Sequence, residues 1–408
     1  MSLTYIKLVN VLLRIGGIGS KFILLTLMSK YFNVDVFGNY GLITSFITIL
    51  IFLLGVDFYN FSIRDILKTK NIQITVNKLV SSLLLYIVIY FIFIIIGSIF
   101  FKEIPYLEPF VFLVIGLGIT EHFSQESYRL LIGFKRVLLA NVLLFIRTIG
   151  WCGIIIYYYY TKIPITINLI LSLWLIFNFA TILIVLFYGV LVGYKYIIKA
   201  QFNSKWVYNG LRVCSIFFIA TISIKLMEYG NRFIVDYFMG KEMAGVFLFY
   251  SNISILITVY VNTIVISFEL PELISSVKSP SINNLLKKFR KSLLKHVVIS
   301  SFFLILIIKP LLIWQDKTEF ENFFPLFFLL VTGSALMNYS LLNHFKLYIF
   351  HYDKPLLKAM VMSAIFSLVI TIALTHSFGV YGAGIAFVIS SIFLYYMRFN
   401  AVKKNHYD

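Results

Sequence analysis

The chain has 408 residues, of which 60% are hydrophobic and 13% charged, and its mean hydropathy is +0.93. Soluble domains carry roughly a quarter charged residues, so this composition excludes a water-soluble globular protein and points to an all-α polytopic membrane protein. The net charge of +18 would suggest nucleic acid in a soluble chain, but its distribution along this chain gives it a different meaning.

Taken in order, the apolar runs predict about 12 transmembrane helices, each near the ~20 residues a bilayer requires. They cover 8–29, 38–60, 79–101, 109–131, 138–160, 167–193, 211–231, 243–267, 293–314, 323–345, 356–376 and 379–397. The first carries Lys7, Arg14 and Lys21 with no small-residue cleavage site after it, so it is expected to be a retained helix rather than a signal peptide. A tight turn at Ser377-Phe378-Gly379 joins the last two. The run Tyr157–Tyr160 falls where an outer interfacial belt is expected.

Alternate loops are basic. One set includes Arg64, Lys68, Lys70 and Lys78, then Lys195, Lys199 and Lys205, then a loop at about 268–292 bearing Lys287-Lys288-Phe289-Arg290-Lys291, then Lys346, and finally a tail with Arg398, Lys403 and Lys404. The other set mixes a few bases with acids such as Asp35, Glu103, Asp236 and Glu319. By the positive-inside rule the first set is cytoplasmic and so are both termini. Topology therefore absorbs most of the basic excess, and no nucleic-acid partner is needed. The Lys287–Lys291 run is either a topology anchor or a patch for phosphate or lipid headgroups.

Two stretches resemble each other half a chain apart. Tyr31-Phe32 is followed by a polar turn and then Gly38-Asn39-Tyr40; Tyr237-Phe238 is followed by a turn and then Gly245-Val246-Phe247. Both lie between an odd span and the next even one, so the halves are expected to be parallel repeats about an axis normal to the membrane. The division is placed at residues 1–200 and 201–408, six helices each.

Charges inside the spans carry the functional signal. Arg14, Lys21, Arg147 and Lys225 stand in apolar surroundings, where each cation opposes insertion by about 2.5–3.5 kcal/mol unless paired or hydrated. Arg14, Gly17 and Lys21 share one helix face, and Lys225, Glu228 and Arg232 repeat the spacing in the seventh span. Gly16, Gly17 and Gly19 would let the first helix approach a neighbour closely. The fourth span ends in Thr120-Glu121-His122-Phe123-Ser124-Gln125-Glu126-Ser127-Tyr128-Arg129, with Glu121, Gln125 and Arg129 expected on a common face and Glu126 within a turn of Arg129. Arg147 is the expected partner of one of these carboxylates. Two interpretations stand: Glu121–Arg147 and Lys225–Glu228 are internal ion pairs that fix packing, or Arg14, Lys21, Arg147, Lys225 and Arg232 bind an anionic ligand while Glu121, Glu126 or Glu228 takes up a proton. Asn178, Asn252, Asn262, Asn338, Asn343 and His344 are expected to hydrogen-bond between helices. No phosphate-binding Gly-rich loop, nucleophile elbow or zinc spacing occurs, and Cys152 and Cys214 form no pair, so neither an enzyme nor a metal or cofactor is expected.

The stretch Gly55-Val56-Asp57-Phe58-Tyr59-Asn60-Phe61-Ser62-Ile63-Arg64-Asp65 resembles the end of the second span of bacterial O-antigen flippases, the Wzx family, and Phe37-Gly38-Asn39-Tyr40 resembles their first external turn. Pro271, and Phe378-Gly379-Val380-Tyr381-Gly382-Ala383-Gly384, are similar to features of the wider polysaccharide-exporter superfamily. The resemblance implies a MATE-like fold of two six-helix bundles in a V. It further implies an inner-membrane flippase carrying an undecaprenyl-pyrophosphate-linked O-antigen repeat unit to the periplasmic leaflet for lipopolysaccharide synthesis. A lipid-linked oligosaccharide is then the substrate, membrane lipids the surroundings, and a polysaccharide polymerase and chain-length regulator the partners. A multidrug exporter of the same fold and a membrane repeat-unit polymerase are the alternatives; the latter would want a large external loop, which the sequence lacks.

Overall fold

A computed structural model describes residues 3–277 and 279–405, and the described residues contain helices and no strands. In chain order the helices are α1 (Leu3–Tyr31), α2 (Val34–Gly55), α3 (Tyr59–Lys68), α4 (Ile72–Phe100), α5 (Val111–Gly133), α6 (Val137–Tyr160), α7 (Ile167–Ile197) and α8 (Ser204–Ser254). They continue with α9 (Leu256–Val261), α10 (Ser267–Ser275), α11 (Ile282–Gln315), α12 (Thr318–Glu321), α13 (Phe324–Tyr339), α14 (Leu341–Ile349) and α15 (Asp353–Asn405).

Eight stretches are long and apolar enough to cross a membrane. Two of them break inside, where α8 turns at Gly240 (φ 80°) and α15 at Gly379 (φ 61°), so the eight amount to ten crossings. Both breaks use the left-handed backbone that glycine adopts at no steric cost, and the second is the expected Ser377–Gly379 turn. Helices α1 and α5 also have spanning length, at 29 and 23 residues, but carry charges within their apolar runs. With them the described residues give the twelve crossings expected from the sequence. The chain is a polytopic membrane protein.

Several boundaries differ from expectation. The second span was expected to reach residue 60, but α2 ends at Gly55, where Val56 (φ 46°) and Asp57 (φ 51°) take the left-handed conformation and break the helix. The expected loop beyond holds the amphipathic α3 instead. The span expected at 79–101 starts earlier, at Ile72, where the Asn71 side chain accepts the Ile74 amide at 3.2 Å and caps α4. The basic run Lys287–Lys291, expected in a loop, is helical, because α11 starts at Ile282.

The chain forms two compact units. One contains residues 1–31 and 43–218, the other 32–42 and 219–408. In the first, α1 lies along α6, and α5 packs on α6 and α7. The contact with α6 is close at two of the three glycines expected to permit it: a Cβ would come within 2.9 Å of Thr148 Oγ1 at Gly17 and within 3.1 Å of Ile149 Cδ1 at Gly16. Gly19 departs from expectation, with nothing within 4 Å. The break after α2 drives Phe58 into a pocket formed by Leu54, Ile66, Tyr86 and Trp206, with Phe58 and Trp206 edge to face at 5.5 Å. Such a pair adds about 0.5–1.5 kcal/mol beyond area burial. Asp65 completes the α3 dock, accepting the Trp206 indole N–H at 2.7 Å and pairing with Lys78 at 2.5 Å.

In the second unit α13 lies along α15. Ser363, Ser367, Thr371 and Thr375 recur every fourth residue on α15, all at most 2% exposed, and small residues at this spacing let membrane helices approach closely. Thr371 donates to Asn231 Oδ1 of α8 at 3.2 Å. Arg398, expected in a cytoplasmic tail, is instead buried in α15 and donates to Ser340 Oγ at 2.6 Å.

The segment 32–42 joins this unit through the two stretches that resemble each other. A Cβ on Gly38 would lie 2.1 Å from the Lys241 carbonyl oxygen, and one on Gly245 would lie 2.2 Å from the Val34 carbonyl oxygen. Residues 34 and 38 are each offset by 207 from 241 and 245, so the contact is reciprocal: each copy's glycine faces the other's backbone at the matching place. This is the geometry a repeated element adopts about a two-fold axis, and it supports the internal repeat independently of sequence likeness.

Two predictions follow from these contacts. Replacing Gly38 or Gly245 by Ala forces the two backbones apart and is expected to destabilise the protein by at least the ~1–3 kcal/mol typical of overpacking, lowering the Tm of the detergent-solubilised protein, whereas Gly19→Ala leaves it unchanged. Burial works against the charged form of Asp65, but the bonds from Lys78 and Trp206 outweigh it and hold the carboxyl below its ordinary range. Its docking contribution is therefore complete above the ordinary aspartate range near pH ~4 and is lost as pH falls below it. Hydrogen exchange of residues 59–68 is expected to accelerate there, and Asp65→Asn to abolish that pH dependence.

Candidate functional site

The expected site residues fall into three groups. The first is built on Glu121, 3% exposed in the middle of α5. Its Oε1 accepts the Trp174 indole N–H at 2.6 Å and the Asn178 amide at 3.1 Å, both from α7, and its Oε2 pairs with Arg147 Nη1 of α6 at 3.3 Å. Trp174 stacks on Trp151, ring centroids 5.6 Å apart, and Lys21 Nζ stands 5.8 Å from the Trp174 ring centre. Lys21 is exposed while Arg147 is 8% exposed. One carboxylate thus serves two cations, only one of which it touches. Arg147 also borders a narrow cleft between α5, α6 and α7, of about 20 Å³, with Ser124, Ser127 and Thr181 along it. The side chain of Arg14 lies outside the described residues.

Glu126 belongs to a different group. Five residues beyond Glu121, it turns to α4, where Tyr86 donates to Oε2 at 3.1 Å. Arg129 pairs with Oε1, and His122 Nε2 stands 3.9 Å from it. Tyr90 hydroxyl and His122 Nδ1 are 2.5 Å apart. The guanidinium of Arg129 lies 3.6 Å from the centre of the Tyr59 ring. The expected pairing of Glu126 with Arg129 is present. Arg129 does not share the expected face with Glu121, because eight residues of α-helix advance a side chain by about 80°, enough to carry Arg129 from the α7 side to α3.

The third group is in the second unit, on α8. Lys225 Nζ pairs with Glu228 Oε2 at 2.6 Å. Arg232, 3% exposed, donates to Asn252 Oδ1 at 2.9 Å, and its guanidinium lies 4.9 Å from the centre of the Tyr229 ring. The i, i+3, i+7 spacing does bring Lys225, Glu228 and Arg232 to one site. Arg398, which sequence reasoning assigned to the tail, lies within electrostatic reach of Glu228 and of buried His344. The signal that could have found it was its position, with Phe393, Leu394 and Tyr395 one turn before it in an unbroken apolar helix. Among the asparagines, Asn178, Asn252 and Asn338 make the expected bonds, the last to Thr258 at 2.8 Å. Asn262 is exposed and opens a π-helical turn.

No protein-family model matches the chain, and no curated protein sequence does. Solved structures do. The chain is similar to a lipid II flippase, MurJ, in an inward closed conformation, with a TM-score of 0.74 over 96% of this chain and 87% of that one, at 15% identity. It is similar to an outward-facing multidrug resistance MATE family transporter of the MOP superfamily, with a TM-score of 0.68, 97% and 95% coverage and 13% identity. It is also similar to the Vibrio cholerae MATE transporter VcmN in a D35N mutant form, with a TM-score of 0.56, 98% and 92% coverage and 14% identity. The fold is therefore the one shared by MATE transporters and MurJ, covering this chain almost end to end.

The Glu121–Arg147 pair carries a direct test. Breaking a buried pair by removing one partner typically costs about 3–5 kcal/mol, because a charge is left buried and unpaired. Glu121→Ala and Arg147→Ala are each expected to lower stability by that order. The double variant should lose less than the sum of the two, as read by a double-mutant cycle of Tm values.

Proposed function

We propose that this protein is a bacterial inner-membrane flippase that turns an undecaprenyl-pyrophosphate-linked repeat unit of O-antigen, or of a related surface polysaccharide, from the cytoplasmic to the periplasmic leaflet. It works by alternating access coupled to an ion gradient, with both termini in the cytoplasm. The observation that carries this reading is the excess of cations over carboxylates in the membrane-spanning site of each unit: Lys21 and Arg147 about Glu121, and Lys225 and Arg232 about Glu228. A pyrophosphate is a compact anion and needs such partners, while the lipid tail stays in hydrocarbon.

In this reading Lys21, exposed beside the Glu121–Arg147 pair, makes first contact with the pyrophosphate, and Lys225 is its counterpart in the other unit. Arg147 and Arg232, already bonded, set the local potential, and Arg14 adds to it along the same helix. Glu121, Glu126 and Glu228 are the candidates for proton uptake. Of these, Glu126 has a hydrogen-bonded tyrosine and a histidine at hand. Downstream partners are a polysaccharide polymerase and a chain-length regulator.

A multidrug exporter of the same fold is the competing reading. A cationic drug would want an unsatisfied carboxylate beside aromatic rings. Glu121 does sit beside Trp174, but it already accepts two hydrogen bonds and an ion pair.

The reading is tested in proteoliposomes with a fluorescent undecaprenyl-pyrophosphate-linked trisaccharide, its leaflet read by a membrane-impermeant quencher. Wild type is expected to translocate it. Lys21→Ala and Lys225→Ala are each expected to slow translocation at least tenfold, and the Lys21, Arg147 and Lys225 triple Ala variant to abolish it. Unchanged rates in the singles and the triple variant would overturn the cationic-site reading.

A further inference from the structure

The basic run that the sequence left between two meanings acquires a shape in the structure. It is not a loop but the first turns of α11, and it faces α10. An open groove of about 560 Å³ is lined there by Lys287, Lys288, Lys291, Lys295 and His296 of α11, with Asn284 at one end and Glu269 of α10 opposite. Lys287, Lys291 and Lys295 are spaced four residues apart and so share one helix face. All three are exposed. The Tyr260 hydroxyl and His296 Nδ1 are 3.0 Å apart, which ties the imidazole to α9.

The charges of the groove do not cancel. Lys288, a fourth lysine lining the groove, is 3.7 Å from Glu272 of α10 and is set against it. Glu269 is left as the groove's own carboxylate against three lysines. Arg290 and Lys346, close enough to interact with each other, add further positive charge on the neighbouring side of α11.

What lies above the lysines identifies the ligand. The same face of α11 continues without a break into Leu294, Val298, Phe302 and Ile305, with Val298 57% and Phe302 60% exposed. Phe268 of α10, next to Glu269, is 73% exposed. In a membrane-spanning helix such a face lies against hydrocarbon. A row of ammonium groups that runs directly into a lipid-facing apolar stripe complements an amphiphile, with a phosphate at the level of the lysines and chains along the stripe. Free phosphate would use only the first half. The π-helical turn at Asn262–Ile266, closed by Ser267 Oγ donating to the Asn262 carbonyl at 2.8 Å, displaces α10 relative to α9. Turns of this kind are frequent at functional sites.

We propose that the groove between α10 and α11 is a docking site for the phosphate headgroup of a membrane lipid, held by Lys287, Lys291 and Lys295, with the acyl chains lying along Leu294, Val298 and Phe302. The site is separate from the three buried charge groups, and the proposal does not depend on which substrate they serve. By the positive-inside rule it faces the cytoplasmic leaflet, where anionic headgroups attract a lysine by about fivefold in affinity each.

The test is equilibrium binding of fluorescent phosphatidylglycerol and phosphatidylcholine to the full-length protein in detergent. The expected result is preferential binding of phosphatidylglycerol. That preference should fall about fivefold in Lys291→Gln and about 100-fold in the Lys287, Lys291 and Lys295 triple Gln variant, and survive in the triple Arg variant. A control triple Gln variant at Lys195, Lys199 and Lys205, a basic cluster about the α7–α8 connection in the other unit, should bind as wild type does. If the triple Gln variant does not fold, Lys291→Gln alone decides the matter. Equal binding of the two lipids, no loss in Lys291→Gln, or complete displacement by millimolar inorganic phosphate would each overturn the proposal, the last by assigning the groove to a free anion. Translocation of the lipid-linked trisaccharide is a separate measurement, so its failure would not count against the groove.

Discussion

A charge in hydrocarbon must be paired or hydrated, and this constraint organises the molecule. It explains why α5, which carries Glu121, Glu126 and Arg129 within its spanning length, is enclosed by α4, α6 and α7. It also explains why Glu121 and Glu126, five residues apart, are served by different neighbours: two carboxylates on one face would share the same cations, whereas on opposite faces each acquires its own arginine and its own aromatic donor. The cost of leaving such groups unpaired is several kcal/mol each. The tryptophan, tyrosine and asparagine side chains around them are thus part of the charge system, not merely packing.

The constraint also separates structural cations from available ones. Arg147 and Arg232 are largely buried and partnered, with planar guanidinium groups suited to fixed multiple contacts. Lys21 and Lys225 sit at the margins of their groups and are more open to solvent. In the proposed reading, a compact anion brought into such a site meets the lysines first and the arginines behind them.

Much of this was legible in the sequence. Spans follow from apolar length, so the twelve crossings and the turn at Gly379 were readable. Fixed helical spacing put Lys225, Glu228 and Arg232 together correctly. The repeat was visible as a weak likeness, and the reciprocal contact of Gly38 and Gly245 supplies its physical reason, since only glycine permits backbone oxygens so close. What was not legible depended on where helices begin and how they rotate. The break at Val56 and Asp57 places the positive φ on two non-glycine residues, with Gly55 only preceding them, so α3 was hidden inside a span and a loop. Arg129 was placed on the wrong face because a near-multiple of the helical period was treated as exact over two turns. Arg398 was read as a tail residue from its neighbourhood of lysines, although its apolar surroundings matched those of the buried cations. In each case local charge or propensity was outweighed by tertiary packing, which one-dimensional spacing does not encode.

In the proposed function Lys21, Arg147 and Lys225 recognise a pyrophosphate joined to a membrane lipid, and that recognition rests on charge. It is tested most directly by changing the head and leaving the rest of the substrate alone. Translocation by the wild-type protein in proteoliposomes would be compared for one fluorescent trisaccharide linked to undecaprenol through a pyrophosphate, through a single phosphate, or through an uncharged ether. The expected result is fastest movement of the pyrophosphate form, slower movement of the monophosphate, and no movement of the ether above protein-free vesicles. Equal rates for all three would show that sugar and lipid suffice, and would contradict the role assigned to Lys21, Arg147 and Lys225.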